Sequence, residues 1–192
     1  MRQTVTIIRT EHRRLAAIIN CFIGVLGDVE AQKNEPDFEL LELIHDYFRS
    51  FLYKFHHPKE DQHLFPALLK VCPELSETIE KLEAEHEKGL VYLENLETSF
   101  MAFKENPASG LAAYIDAART YRDFEWQHMG LEEKEILPVA EEKLPEETWI
   151  ALDAIFTDHD DPVFGDRPTK KFETLLSKIV NTAPAPHGLA GK

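Results

Sequence analysis

Four long stretches in which apolar residues recur every three or four positions constrain this chain more than any other feature. That spacing lines up apolar side chains on one face of an α-helix, whereas a half-buried strand would alternate at every second residue. Almost no part of the sequence shows the strand pattern. The four predicted helices run from about Thr4 to Gln32, Phe38 to Lys70, Pro73 to Lys104 and Leu111 to Lys143.

Short connections join these helices, and short connections favour antiparallel neighbours in an up-down-up-down bundle. A linker at 33–37, a turn at 72–74 and a loop at 106–110 are predicted between them. Pro58 lies inside the second helix and predicts a kink, because proline cannot donate a backbone hydrogen bond. The predicted fold class is therefore all-α, a four-helix bundle with additional C-terminal helices.

The chain is predicted to divide into two parts. Residues 1–144 form the bundle, and residues 145–192 form a C-terminal helical extension with a loose tail. The extension is expected to contain a helix from Pro145 to about Thr157, a turn at 160–165, a helix from Pro168 to Asn181 and the tail after it.

Charge and cysteine content restrict the partners and the location. The 192 residues include 35 acidic and 21 basic side chains, a formal net charge of −14, which predicts no nucleic acid and no anionic membrane partner. The longest apolar run, Leu15 to Leu26, is too short to span a bilayer. No signal-peptide pattern opens the sequence, so the cytoplasm is the expected location. Cys21 and Cys72 are predicted to be buried free thiols.

The sequence contains two related helical hairpins, and histidines occupy matching points in both. A His-x-x-x-Glu pair occurs once in each copy, followed by two large apolar residues and a proline, and a further histidine lies on the helix before it. The matched residues are His12 with His86, at an offset of 74, and His56 and Glu60 with His128 and Glu132, at an offset of 72.

The spacing of these residues has a chemical use. Residues four apart lie one turn apart on the same helix face, so each pair presents an imidazole and a carboxylate to one site. The positions four residues away are apolar, as Ile8 and Ala16 are around His12. Histidine and glutamate on apolar stripes are costly unless they are paired or bind a metal. Imidazole with carboxylate suits iron, and suits zinc or manganese less selectively.

This ordered set resembles the hemerythrin, or HHE cation-binding, family over about residues 5–143. The resemblance implies a bundle that holds two iron ions, bridged by two carboxylates and an oxo or hydroxo oxygen, with zinc or manganese as possible substitutes. It implies a protein that binds dioxygen or a related ligand such as nitric oxide for storage, sensing or delivery. The ligands it implies are His12 and His56 on one metal, His86 and His128 on the other, and Glu60 and Glu132 as bridges.

One position departs from the family pattern. Oxygen carriers of the family have a second histidine four residues before that of the third helix, where this chain has Leu82. The second metal would be one ligand short, and His57 is the candidate to fill the gap, or else only a neighbour of His56. Because of Leu82, reversible oxygen carriage is in doubt.

Several alternatives stay open at this point. Glu133 is an alternative to Glu132 as the bridge, and Glu11 and Glu85 are expected to orient or flank the adjacent histidines. Whether the protein is an enzyme is open too; a di-iron enzyme of oxygen, peroxide or nitric oxide chemistry, or of iron–sulfur cluster repair, is the alternative function. A ferritin-like site would instead use Glu-x-x-His, as at Glu125 and His128. A metal-free interaction bundle would leave the histidines unexplained.

Overall fold

The computed structural model describes residues 2–157 and 168–190, with side chains from Phe172 onward in the second range. Within these ranges the chain is helical almost throughout and contains no β-strand, which confirms the predicted all-α class. The turn predicted at 160–165 lies outside the described residues. The helices are α1 (Gln3–Glu30), α2 (38–71), α3 (Ser76–Glu105), α4 (107–143), α5 (Glu146–Thr157) and α6 (Pro168–Thr182).

The order of the core clusters along each helix shows how the bundle is arranged. One buried cluster includes Phe22 and Tyr114, and the other includes Ile8, Leu82 and Ile136. Helices α1 and α3 pass from the second cluster to the first, and α2 and α4 pass back again. The four helices therefore run alternately up and down. In each of them the predicted site residues lie between the two clusters, so the site is a polar layer with a hydrophobic core on either side.

Helices α2 and α4 include π-helical segments, in which the hydrogen bonds run from i to i+5 and each turn is wider. These segments are Phe48–His56 and Glu60–Leu64 in α2 and Glu132–Ile136 in α4. Pro58 lies between the first two, so the deformation predicted at this proline takes the form of π-helical winding. Glu60–Leu64 and Glu132–Ile136 are related by the 72-residue offset of the repeat, so both hairpins place this winding at the glutamate.

The prediction of a loop at 106–110 is wrong. Only Asn106 separates α3 from α4, because proline is well suited to the first turn of a helix and Pro107 begins α4. Gly110 has a packing role instead. A Cβ at this position would lie 2.4 Å from the Cα of Phe103, so the glycine allows α4 to approach α3 closely.

The described part of the C-terminal tail, which is predicted to be loose, contacts α6 and α1. The Leu189 N–H donates to the carbonyl of Val180 at 2.8 Å, which folds the tail back on α6. His187 packs against Gly24 of α1, and its Nε2 lies 2.9 Å from Asp28 Oδ2. These contacts involve the backbone and one histidine, so a search for apolar periodicity could not reveal them.

The extension packs on both core clusters. Trp149 and Phe156 of α5 join the cluster that contains Ile8, and Phe172 of α6 joins the cluster that contains Phe22. Cys21 and Cys72 are buried free thiols, as predicted, and among the described residues no helix is long and apolar enough to cross a bilayer. The division of the chain at residue 144 stays a prediction.

Candidate metal centre

The side chains predicted to bind metal converge in the polar layer between the two hydrophobic clusters. Every one of them is buried, and each of the four bundle helices contributes at least one. Their positions follow from the His-x-x-x-Glu spacing, which turns an imidazole and a carboxylate of one helix toward the bundle axis. The converging residues are His12 from α1, His56, His57 and Glu60 from α2, His86 from α3, and His128 and Glu132 from α4.

These seven residues form two groups, each compact enough to hold one metal ion. Within each group, one potential ligand atom per residue lies within 4.8 Å of the others. His57 falls in the second group, the one that the sequence pattern predicts to be a ligand short at Leu82. Leu82 itself belongs to the hydrophobic core. The first group is His12, His56, Glu60 and Glu132, and the second is His57, His86 and His128.

Glu132 lies between the two groups. Its Oε2 is 3.1 Å from His12 Nε2, and its Oε1 is 3.5 Å from His128 Nε2, so each oxygen faces a histidine of a different group. Glu133, the alternative bridge, is about one-third exposed and binds Arg9 and the other ring nitrogen of His12. Of these two carboxylates, Glu132 is therefore the one that lies between the groups.

Glu60 occupies the matching position on α2. Its Oε2 lies 3.5 Å from His56 Nε2, in the first group, and 3.8 Å from His86 Nε2, in the second. This oxygen has no hydrogen-bond partner among the described residues, although Glu60 is almost completely buried. A buried carboxylate oxygen without a donor is costly, and a cation between the two histidines would compensate for that cost.

A ring of outer carboxylates surrounds the site. Each of the four histidines matched by the repeat has its Nδ1 next to a carboxylate, which favours a proton on Nδ1 and directs Nε2 inward. The pairs are His12 with Glu133 at 3.0 Å, His56 with Glu11 at 2.8 Å, His86 with Asp61 at 2.7 Å and His128 with Glu85 at 3.1 Å.

The outer ring refines the prediction for Glu11 and Glu85. Both carboxylates orient histidines, but each contacts a histidine of another helix and not its sequence neighbour: Glu11 contacts His56, and Glu85 contacts His128. Asp61 was missed by the sequence reasoning. The signal was available in the repeat, since Asp61 is the counterpart of Glu133 at the 72-residue offset.

The two histidines His86 and His128 supply a direct test of whether a metal fits. Their Nε2 atoms lie 3.0 Å apart, while both Nδ1 atoms face carboxylates. Two lone pairs at this distance repel unless a proton or a cation lies between them. Two imidazoles on one metal with bonds of about 2.1 Å at right angles have nitrogens about 3.0 Å apart, so the spacing fits a shared ion.

His57 supplies a second test. It is 4% exposed, stacks on His86 with ring centroids 3.9 Å apart, and neither of its ring nitrogens has a hydrogen-bond partner among the described residues. A histidine with no role would be expensive in such a place. The π-helical winding on both sides of Pro58 is the local deformation by which His56 and His57, although successive, both face the site.

The electrostatics of the site without metal show where protons reside. Burial opposes a charge on His12, but the hydrogen bonds and charges of Glu132 and Glu133 outweigh it and raise its pKa to about 9. Burial and the charge of Glu132 raise the pKa of Glu60 well above its ordinary value. Burial and the neighbouring histidines lower the pKa of His57. The centre therefore holds protons at positions where a metal would replace them.

Glu125 does not join either group, which argues against the ferritin-like alternative. It is fully buried three residues before His128, where it accepts a hydrogen bond from the Tyr53 hydroxyl at 3.2 Å. Burial raises its pKa to about 7. His45 is also accounted for, because its Nε2 lies 2.8 Å from the Tyr114 hydroxyl within the hydrophobic core.

Comparison with known proteins agrees with this geometry. The model of the hemerythrin HHE cation binding domain matches residues 3–140, which span all four bundle helices and both ligand groups. No curated protein and no solved structure matches the chain at a significant level. Since the family model covers more than half of the chain, this protein belongs to the hemerythrin HHE cation-binding family.

Proposed function

We propose that the protein holds two iron ions and binds dioxygen or a related small ligand, such as nitric oxide, for storage, sensing or delivery. One observation carries this proposal. Two buried groups of potential ligands both contain histidines, and carboxylate oxygens lie between the two groups. Histidine and carboxylate donors together suit iron, and zinc or manganese would be weaker substitutes.

The two metal positions differ in their supply of ligands. If Glu60 and Glu132 serve both metals, the first position has two imidazoles and the second has three, because His57 joins the second group. An oxo or hydroxo bridge would add one ligand to each. The first position is then one ligand poorer, and bound iron would supply a redox-active centre with a coordination place there for a small ligand.

The protein's own side chains support such a centre in two ways. The outer carboxylates hold each imidazole with Nε2 directed inward, so the ligands are oriented before a metal arrives. The hydrophobic clusters on both sides keep bulk water away from the layer. Low polarity around the site strengthens every charge interaction within it.

A di-iron enzyme that acts on oxygen, peroxide or nitric oxide is the second candidate, and one observation favours it. Tyr53 packs edge-on against His57 with ring centroids 5.0 Å apart and donates to the buried Glu125. A carboxyl group with a pKa of about 7 beside a metal site is suited to proton transfer. Cluster repair has less support, since both cysteines are buried.

Anaerobic loading with ferrous iron tests the proposal. We expect about two iron ions per chain, because seven donor residues in two groups exceed the needs of one ion. Optical spectra before and after addition of dioxygen or nitric oxide should then differ. His56→Ala should lose iron, whereas Glu125→Gln should load fully, since Glu125 belongs to neither group. A tight endpoint at one ion per chain would contradict the dinuclear centre.

A further inference from the structure

A pocket on the surface between α1 and α4 leads toward the first ligand group. It has a volume of about 290 Å³, and its lining is mostly apolar. Trp126, 44% exposed, lies at its outer side, and the buried His12 lies at its inner side. Ala16 of α1 and Gly130 of α4 also line the pocket. The pocket thus connects solvent with a predicted ligand of the metal position that has fewer imidazoles.

Met129 lines this pocket and directly follows His128, a predicted metal ligand, in the sequence. By the 72-residue offset it is the counterpart of His57, the extra histidine of the second group. Met129 is buried and lines the pocket together with His12. The first metal position therefore has a thioether side chain in the place where the second has a third imidazole. Methionine is unbranched and flexible, so a change of its rotamer can open or close a passage beside it.

We propose that this pocket is the entry route for a small uncharged ligand, and that Met129 controls its passage to the side of the site formed by His12 and His56. The proposal rests on the proposed function of the site. An apolar lining costs dioxygen or nitric oxide nothing, whereas an anion would lose its hydration without replacement. The two charged residues of the lining, Arg13 and Glu133, are of opposite sign, so the preference for an uncharged ligand rests on the apolar surface.

Gly130 provides a way to close the route. No atom lies within 4 Å of a Cβ built at this position, so a side chain is tolerated there and would extend into open space. Gly27 of α1 is a matched control, since it too is a helical glycine with nothing within 4 Å of a Cβ. Leucine at either position should raise helix propensity similarly, so the two variants differ mainly in whether they fill the pocket.

The first measurement is the rate of nitric oxide binding to protein loaded anaerobically with ferrous iron, followed by stopped-flow absorbance. We expect Gly130→Leu to lower the second-order rate constant roughly tenfold or more, with iron content and final amplitude unchanged. Gly27→Leu should keep the parent rate, and Met129→Ala should raise it. A parent-like rate in Gly130→Leu at full amplitude would overturn the route but leave the proposed function intact. Iron-loaded parent protein that binds no nitric oxide would overturn both.

The second measurement needs no metal. Apolar cavities bind xenon, so crystals of the metal-free protein under xenon pressure should show an atom between Trp126 and Met129. Gly130→Leu crystals should lack it, and Gly27→Leu crystals should retain it. Absence of xenon from the parent pocket would overturn the gas route whether or not iron can be loaded.

Discussion

The two hairpins of the bundle, α1 with α2 and α3 with α4, carry the same site elements and differ at the position after the second histidine. Both supply a lone histidine, a His-x-x-x-Glu pair and two outer carboxylates, at offsets of 74 and 72. The first hairpin has His57 after His56, and the second has Met129 after His128. The repeated framework builds two similar half-sites. His57 makes one of them richer in imidazole, and Met129 lines the apolar pocket beside the other.

Removal of a shared carboxylate should have the largest effect, because it acts on both half-sites. Glu132→Ala is expected to weaken binding of both metals by more than roughly 100-fold, since each oxygen of Glu132 faces a histidine of a different group. Iron content per chain and calorimetric titration measure this. Glu133→Ala is the control and should retain two metals. Equal losses in the two variants would remove the distinction between bridge and outer carboxylate.

The difference between the hairpins can be removed in either direction by substitution at the position where they differ. His57→Met makes the first hairpin match the second, and we expect affinity for one metal to fall roughly 10-fold to 100-fold. The metal-free protein should keep its stability, because a buried histidine without hydrogen bonds is removed. Met129→His should strengthen binding at the other position. The contrary result is a variant that binds two irons as tightly as the parent and gives the same spectrum. That result would show that His57 is only a neighbour of His56 and not a metal ligand.

The outer carboxylates should each affect their own half-site by a smaller amount. Asp61→Asn and Glu133→Gln keep the size of the side chain but remove the charge on the Nδ1 side of His86 and His12, respectively. We expect about a 10-fold loss of affinity for one metal in each variant. Metal titration of both variants measures these losses. If one carboxylate proved essential and the other dispensable, the two hairpins would not be equivalent in metal binding.

Over one pH unit, the pH dependence of metal binding should be comparable to the effect of one outer carboxylate for each proton released. Below pH 9 the raised pKa keeps His12 protonated, and metal must displace this proton. Affinity should therefore rise by about tenfold between pH 7 and pH 8 for each proton released. In the metal-free protein the proton on His12 stabilises the fold fully below pH 6.5, and this contribution is lost as the pH rises through 9. Isothermal titration in buffers of different ionisation enthalpy counts the protons.

The sequence was sufficient for the four helices and for which histidines converge. Apolar periodicity places His12 and His86 on inward faces, and the repeat confirms their equivalence without any structure. The sequence did not predict which side chains meet between helices. Glu11 precedes His12 in sequence, but successive helical residues point about 100° apart, so its carboxylate meets His56 on the next helix.

Local backbone geometry was also beyond the sequence rules. Pro58 predicted a deformation, but only the structure shows that it is π-helical winding that extends through His56 and resumes at Glu60. The 106–110 segment has the composition of a loop, yet Pro107 begins a helix and Gly110 serves a close helix contact. Composition gives the same signal for a loop and for a tight helical junction, and packing decides between them.

The most direct test of the account is the number of nitric oxide molecules bound per pair of irons. Protein loaded with two ferrous ions should bind one nitric oxide per chain, because only the position without a third imidazole is proposed to be open. His57→Met protein that still carries two ions should bind two, since its half-sites then match. Two nitric oxide molecules per chain in the parent would contradict the asymmetry between His57 and Met129 on which the account depends.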